Sequence, residues 1–395
     1  MTFLSSFNVA FLPFTLVCYW VQVDITTAFH SLPQSHSFHE RISKQVHRIQ
    51  TIHDFTLKYK SDDIDDIINA HEPQKLSPKI VTNKIPQRPL KAPFPNGLNK
   101  GRLVTLPPSL HFASSDQDLL PPRDVCVWLP PHYDDPVHAT TKFPVLYCHD
   151  GQNAIEDSSS WTGSSWRLAG ALTRLAERNL LDTPKGVPPI VVLIPCCEDR
   201  MGMVIPRRHL EYGDVVSPFA QAHADLVGTV IQPLIDEKFR TLGTKAGNSV
   251  IGSSLGGQAS LHLALRHSDQ FGNCACLSPA FQPGLLSMVA TVPEATLQKL
   301  SLYMDNGGDD EEQNIKVPFL DVQDHMTMQH WWNPGYWFLD SSLQMGLDAM
   351  RLALDVRGAK YVYNKIAGGR HNERAWANRI DKPLLALYGK KGKDS

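Results

Sequence analysis

Short, uninterrupted apolar runs alternate with segments of helical periodicity from about residue 101 onward. The runs PVLYC (144–148) and IVVLI (190–194) contain no charged residue, which is typical of strands buried on both faces of a parallel sheet. Between them, residues 166–180 carry apolar side chains at helical spacing, with Arg and Glu on the opposite face. The pattern continues with predicted helices at 221–239, 257–267 and 343–354 and predicted strands at 102–106, 125–129, 249–251, 273–277, 301–304 and 361–365. This alternation predicts one α/β domain with a mostly parallel central sheet and helices on both faces.

Charge and cysteine content exclude two classes of function. Lys and Arg number 38 and Asp and Glu number 40, which gives a formal net charge of −2. Sequence-independent phosphate binding needs surplus positive charge, so no nucleic acid partner is expected. The seven cysteines include no C-x-x-C pair, which argues against a zinc ribbon or a redox dithiol. Four of them lie in apolar runs typical of buried thiols: Cys196, Cys197, Cys274 and Cys276.

The first thirty residues admit several interpretations. Residues 8–23 are strongly apolar but interrupted by Pro13, which is short for a bilayer span and long enough for the apolar region of a signal peptide. No basic residue precedes this region. We expect residues 1–30 to be a secretory or organellar targeting segment, or else, in a cytoplasmic protein, a helix packed on the domain or a mis-assigned start. No other stretch reaches about 18 uncharged apolar residues, so no stable membrane insertion of the mature chain is expected.

The next seventy or so residues differ in composition from the rest of the chain. Residues 31–100 are polar, and five prolines between residues 75 and 100 interrupt any periodicity. This composition predicts an extended arm or linker, followed by a domain over residues 101–390.

One segment carries the strongest chemical signal. In SVIGSSLGGQA (249–259) a β-branched run enters a G-x-S-x-G pattern and an Ala/Leu-rich helix leaves it. A sharp strand-to-helix turn of this kind exposes a serine hydroxyl beside the positive end of a helix dipole. Gly252 and Gly256 omit side chains that would collide where strand and helix approach. Ser254 is the predicted nucleophile, and the alternative is a helix N-cap serine after a glycine turn.

A nucleophilic serine needs a base, which in this architecture follows an acid along the chain. His371 lies in a glycine-containing loop directly after the predicted strand at 361–365, where it could bend back over the sheet edge. The acid is expected in DNGGDDEE (305–312), which follows the predicted strand at 301–304, with the other four carboxylates of that run in a solvated loop. The residues alone do not choose between Asp309 and Asp310.

Five blocks together resemble an esterase family of the α/β-hydrolase fold. That family includes enterobactin esterases, feruloyl and acetyl xylan esterase modules, S-formylglutathione hydrolases and secreted mycolyltransferases. The resemblance covers roughly residues 101–390, and its blocks are RDVCVWLPPHY (123–133), YCHDGQN (147–153), VIGSSLGG (250–257), LSPAF (277–281) and GRHNERAW (369–376).

The resemblance implies a role for each matching position. Ser254 corresponds to the nucleophile and His371 to the base. The family acid usually stands three positions after the first residue of a Gly-Thr turn, so that Asp310 corresponds to it. This chain has Gly-Gly at 307–308 in place of that turn, and Asp309 is the alternative acid.

The family also binds the tetrahedral oxyanion through two backbone N–H groups, which here correspond to those of Leu255 and Gln152. The Asp150-Gly151 dipeptide favours a tight turn that can direct the next amide into a site. No cofactor and no metal is expected.

The resemblance implies a serine hydrolase that cleaves a carboxylic ester or thioester, of a small molecule or carbohydrate, through an acyl-enzyme on Ser254. The alternatives are an acyltransferase that uses the same triad and a non-catalytic relative that binds carbohydrate or a partner. The family usually has about thirty residues between acid and base, whereas residues 313–340 form an insertion here. Its segment WWNPGYWF (331–338) has five aromatics in eight residues, which either wall a substrate pocket or bury the insertion itself.

Overall fold

The computed structural model describes residues 87–89, 101–106, 120–197, 200–201, 205–307, 339–367 and 369–390, all within the compact unit Thr82–Ser395. The predicted targeting segment, most of the predicted arm, the aromatic insertion and both candidate acids, Asp309 and Asp310, lie outside the described residues.

The strands of the described residues form one large sheet and a small ribbon. They are β1 (Gln87–Pro89), β2 (Arg102–Thr105), β3 (Cys126–Leu129), β4 (Val145–His149), β5 (Ile190–Ile194), β6 (Arg200–Met201), β7 (Ile205–Pro206), β8 (Asn248–Ser253), β9 (Asn273–Leu277), β10 (Ser301–Asn306) and β11 (Tyr361–Lys365). Nine of them pair in the order β1-β2-β3-β5-β4-β8-β9-β10-β11, and β6 pairs with β7. The run from β5 to β11 is parallel, and β1, β2 and β3 add an antiparallel edge. The mostly parallel sheet is therefore confirmed, and residues 87–89 of the predicted arm belong to it.

The helices are α1 (Leu168–Glu177), α2 (Arg207–Tyr212), α3 (Pro218–Asp225), α4 (Gln232–Lys238), α5 (Leu255–Arg266), α6 (Pro283–Thr291), α7 (Glu294–Gln298), α8 (Leu339–Val356), α9 (Glu373–Arg379) and α10 (Asp381–Tyr388). The helix predicted at 221–239 is divided, because a π-helical segment at Leu226–Ile231 separates α3 from α4. Pro233 follows directly, and its missing N–H and ring disfavour an ordinary α-helical turn there.

Alternate strand residues bury their side chains on opposite faces of the sheet. On one face, Leu146, Cys148 and Ile251 share a hydrophobic cluster with Leu172 of α1 and Leu384 of α10. Helix α5 packs on β4, β8 and β9, and its side chains do not join that cluster, so it covers the other face. Helices thus lie on both faces, as predicted.

No cysteine among the described residues forms a disulfide bond. Cys196, Cys274 and Cys276 are buried, as their apolar context predicts, whereas Cys197 is only half-buried. Among the described residues, no helix has the length and apolar character needed to cross a bilayer.

The carboxyl ends of the parallel strands meet at one edge of the sheet. Asp150 follows β4, Ser254 follows β8, Ser278 follows β9 and Gly307 follows β10. The loop that contains His371 follows β11. Because parallel strands end at a common edge, the topology gathers every described loop with a predicted site residue there.

Candidate active site

Ser254 occupies the turn between β8 and α5 in a backbone conformation that L-residues rarely adopt. Its φ is +56° and its ψ is −127°. Two of its backbone hydrogen bonds join it to the segment after β9, since its N–H donates to Leu277 O at 2.9 Å and its carbonyl oxygen accepts from Ala280 N at 3.0 Å. The Ser254 side chain makes no capping hydrogen bond to α5, so the N-cap alternative lacks its defining contact.

Close backbone approach explains the glycine before this turn. A Cβ on Gly252 would lie 2.2 Å from the carbonyl oxygen of Gly256 and 2.8 Å from Ser260 Oγ. The first turn of α5 can therefore press against β8 only because Gly252 has no side chain, and that contact sets the sharpness of the turn at Ser254.

The turn after β4 brings the Gln152 amide to the same edge. Asp150 is left-handed, with φ of +53°, and begins a 3₁₀ turn over Gly151–Asn153. The Gln152 side chain accepts from the amide of Cys196 at 3.3 Å, which ties the turn to the segment after β5. Gln152 lies in the first turn of this 3₁₀ segment, and Leu255 is the first residue of α5. Backbone N–H groups at the start of a helix have no carbonyl partner four residues earlier in that helix.

A buried ion pair joins this turn to α2. Asp150 is 1% exposed and accepts from Arg208 twice, at 2.8 Å from Nε and 2.7 Å from Nη2. The guanidinium lies 5.4 Å from the ring centroids of both Trp161 and Tyr212. Burial opposes its charge, but the Asp150 carboxylate overrides this effect and raises the pKa of Arg208 above its usual value. No sequence pattern marks Arg208, because its partner is 58 positions away.

His371 is buried beside Trp376, with the two ring centroids 5.1 Å apart. Trp376 Nε1 donates to Ser278 Oγ at 3.4 Å. Ser278 belongs to the same short segment whose neighbours Leu277 and Ala280 bind the Ser254 backbone. The histidine loop and the serine turn are thus linked through a single segment after β9.

The acidic run begins with a residue that sequence reasoning assigned incorrectly. The prediction that its spare carboxylates are solvated is wrong for Asp305, which is fully buried in β10. It accepts from Arg379 at 3.1 Å, Tyr303 Oη at 3.0 Å and Ser278 N at 3.2 Å. Burial raises its pKa, against the opposing effect of Arg379. Asp305 therefore anchors the backbone of the segment that contains Ser278.

Gly307 is the last described residue before the two candidate acids. A Cβ on Gly307 would lie 2.6 Å from the carbonyl oxygen of Gly369 and 3.1 Å from the amide nitrogen of Arg370. The chain that leads to Asp309 and Asp310 thus leaves the sheet against the loop that carries His371.

Asn153 connects the turn after β4 to the loop that contains Ser160 and to the first residue of α9. Its Nδ2 donates to Glu373 Oε1 at 3.3 Å, and its Oδ1 accepts from Ser160 Oγ and from Trp161 N, each at 3.2 Å. Burial raises the pKa of the Glu373 carboxyl. Sequence reasoning did not identify Asn153 or Glu373 as part of this network.

A cavity of about 150 Å³ adjoins the Gln152 turn. Its lining includes Gly151, Gln152, Ile155, Leu193 and Pro195 but not Ser254 or His371. The described residues contain no group of three or more His, Cys, Asp or Glu side chains arranged to hold a metal ion.

The fold and this edge define a class of protein. A parallel sheet with an antiparallel edge, helices on both faces and a serine at a sharp strand-to-helix turn is an α/β-hydrolase. The model of the family described as "Putative esterase" matches residues 118–387, and the chain belongs to this family. The protein is accordingly a carboxylic ester hydrolase.

Solved structures of similar fold include two esterases and a siderophore hydrolase. The enterobactin esterase FES from Shigella flexneri is 15% identical, with a TM-score of 0.47 over 73% of this chain and 59% of that one. The siderophore hydrolase EstB from Aspergillus nidulans is 18% identical, with a TM-score of 0.46 over 79% and 98%. The ferulic acid esterase AmCE1/Fae1A from Anaeromyces mucronatus is 17% identical, with a TM-score of 0.44 over 73% and 92%. A search of curated proteins returned no match.

Proposed function

We propose that the protein cleaves esters through an acyl-enzyme formed on Ser254. The observation that carries this proposal is the strained backbone of Ser254, held at φ +56° between β8 and α5. Such strain persists only where surrounding structure enforces it, and here the Leu277 and Ala280 hydrogen bonds do so. The turn presents the hydroxyl at the carboxyl edge of the sheet, where a substrate carbonyl can approach.

In the proposed mechanism, Ser254 Oγ attacks the carbonyl carbon while His371 accepts the hydroxyl proton. The carbonyl oxygen becomes an oxyanion and accepts hydrogen bonds from the N–H groups of Leu255 and Gln152. His371 then gives the proton to the leaving alcohol. Water, deprotonated by the same imidazole, releases the acid and restores Ser254.

We assign Asp310 as the carboxylate that orients His371, with Asp309 as the alternative. The contact between Gly307 and the Gly369–Arg370 backbone supports this assignment, because it starts the acid-bearing segment beside the histidine loop. A carboxylate at that position would fix the imidazole tautomer and stabilise the imidazolium formed during attack.

We further propose that the substrate is a small-molecule or carbohydrate-linked ester, with thioesters as a second candidate class, and that residues 101–390 form the catalytic domain. Membership of the esterase family supports an ester as the bond that is cleaved.

The test compares Ser254→Ala with the neighbouring Ser253→Ala. Loss of the nucleophile should lower kcat for p-nitrophenyl acetate by about 10⁴-fold or more and abolish labelling by a fluorophosphonate probe. Ser253 is the last residue of β8 and is buried in the strand, so its alanine variant should keep activity and labelling. A folded Ser254→Ala protein with undiminished hydrolysis would refute the mechanism.

A further inference from the structure

The Asp150 carboxylate lies unusually close to the proposed oxyanion hole. Asp150 precedes Gln152 by two residues, and its Oδ2 would lie 2.8 Å from a Cβ placed on Gly256, the residue after Leu255. The carboxylate is therefore buried between the two elements whose amides would bind the oxyanion. A buried negative charge here would oppose the negative charge that develops on the substrate oxygen, because the interior screens charges weakly.

Arg208 supplies the opposite charge with a geometry suited to that task. Its Nε and Nη2 bind both oxygens of Asp150, in the two-point arrangement that fixes a carboxylate in orientation as well as charge. The guanidinium also lies 5.4 Å from the ring centroids of Trp161 and Tyr212, within the range of a cation–π interaction. The Arg208 side chain is 15% exposed, so the pair is largely shielded from solvent.

Helix α2 is itself held rigidly over this edge. Glu211, one turn after Arg208, forms a second buried ion pair with Arg123, at 2.9 Å and 3.0 Å. Gln258 of α5 donates to the carbonyl oxygens of Tyr212 and Gly213, which secures the end of α2 against the helix that begins at Leu255. The backbone of α2, from which the Arg208 side chain extends, is thus positioned by contacts that do not involve Asp150.

We propose that Arg208 is a positioning residue that neutralises Asp150 and holds the Asp150–Gln152 turn so that its amide can bind the oxyanion. This inference rests on the proposed acyl-enzyme mechanism. If the inference is right, loss of the Arg208 charge lowers kcat mainly because the negative charge of Asp150 is no longer neutralised. Removing the charge of Asp150 as well should then restore activity.

The experiment measures kcat and KM for p-nitrophenyl acetate in Arg208→Gln, Asp150→Asn, the double variant and Arg207→Gln. Arg208→Gln should lower kcat by about 100-fold, the effect of disabling one oxyanion donor, with KM changed by less than about threefold. The double variant should recover at least about tenfold of that loss. Asn tolerates the left-handed conformation of position 150, so Asp150→Asn should stay within about tenfold of wild type.

Arg207→Gln is the matched control, because Arg207 neighbours Arg208 on α2 but its guanidinium lies over Phe219, at 5.8 Å. It should match wild type. Near-UV circular dichroism establishes that each variant is folded. The inference is overturned if Arg208→Gln is as active as wild type, or if the folded double variant is no more active than Arg208→Gln.

If Arg208→Gln does not fold, the Asp150→Asn variant tests the inference instead. A folded Asp150→Asn protein whose kcat has fallen by more than about 100-fold overturns it. Ser254→Ala is assayed alongside. Full activity of Ser254→Ala would contradict the acyl-enzyme mechanism itself. An inactive Ser254→Ala together with a fully active Arg208→Gln would contradict only the role of Arg208.

Discussion

Three of the seven described non-glycine residues with positive φ lie at the edge of the sheet where the chemistry is proposed. Among the described residues, Asp150, Ser254 and Ser278 have φ values of +53°, +56° and +40°, and each directly follows a parallel strand. Non-glycine residues in this region cost free energy, and they persist only where neighbouring contacts enforce them. The G-x-S-x-G motif predicted the strained conformation of Ser254. The left-handed conformations of Asp150 and Ser278 became evident only in the tertiary structure, because they depend on contacts with distant segments.

Gly252 allows the sharpest prediction at the residue scale. Gly252→Ala places a Cβ 2.2 Å from the backbone oxygen of Gly256, and a backbone atom cannot move aside as a flexible side chain can. We expect a loss of about 3 kcal/mol in unfolding free energy, or failure to fold. Gly163→Ala is the control, since it has φ of +71° but nothing within 4 Å of the added Cβ. It should lose about 1 kcal/mol, from backbone strain alone.

Urea unfolding followed by tryptophan fluorescence measures both variants. Equal losses in the two would show that the close approach of Gly252 to Gly256 does not govern the stability of this turn.

At the scale of elements, the cap of α9 connects a short helix to the proposed base. Asn372 Oδ1 accepts from Ala375 N at 2.9 Å, directly after His371. Asn372→Ala removes this cap and should lower the unfolding free energy by about 1 kcal/mol. We also expect kcat to fall, because the loop that carries His371 is anchored at that cap.

Asn372→Asp is the matched variant, since Asp also caps helices well. It should recover most of the stability and activity in the same urea and p-nitrophenyl acetate assays. If the alanine variant keeps wild-type kcat while losing stability, the cap does not position His371.

Elements of different length were predictable to different degrees. The strands of the sheet from β2 onward and the longer helices α1, α5 and α8 have apolar patterns that are visible in the sequence, whereas β1 fell within the predicted arm. The short helices α2, α6, α7, α9 and α10, of five to nine residues, were not predicted. Helices of that length depend on tertiary packing for most of their stability, so their sequences carry little signal. Arg208 lies on one of them.

The whole molecule buries several imidazoles, and this predicts how its stability depends on pH. Burial lowers the pKa of His149 and of His262 to about 4 and that of His223 well below its usual value. Between pH 6.5 and 4 the unfolded chain binds protons at these positions and the folded chain does not, so each histidine reduces stability as pH falls through that range. Asp305 and Glu373, whose pKa values burial raises, act in the opposite direction at the lower end.

The His262→Gln variant isolates one such histidine. Relative to wild type, its unfolding free energy should fall less on acidification from pH 6.5 to 4, by up to about 1.4 kcal/mol per pH unit. Urea unfolding at half-unit steps of pH measures both proteins. Parallel pH profiles of unfolding free energy for wild type and His262→Gln would show that the pKa of His262 is not lower in the folded protein than in the unfolded chain.

Local pattern determined the α/β alternation and the turn at Ser254, because strand burial, helix periodicity and glycine spacing act over a few neighbouring residues. The same kind of pattern predicts His371 as the base. Tertiary structure alone decided the burial of Asp305, the network around Asn153 and the pairing of Asp150 with Arg208. Those contacts include residue pairs that lie 58, 74 and 220 positions apart, and such pairs form only when the carboxyl ends of the parallel strands meet at one edge. The balance of charges at that edge therefore arises only in the folded sheet and cannot be inferred from any short segment of the sequence.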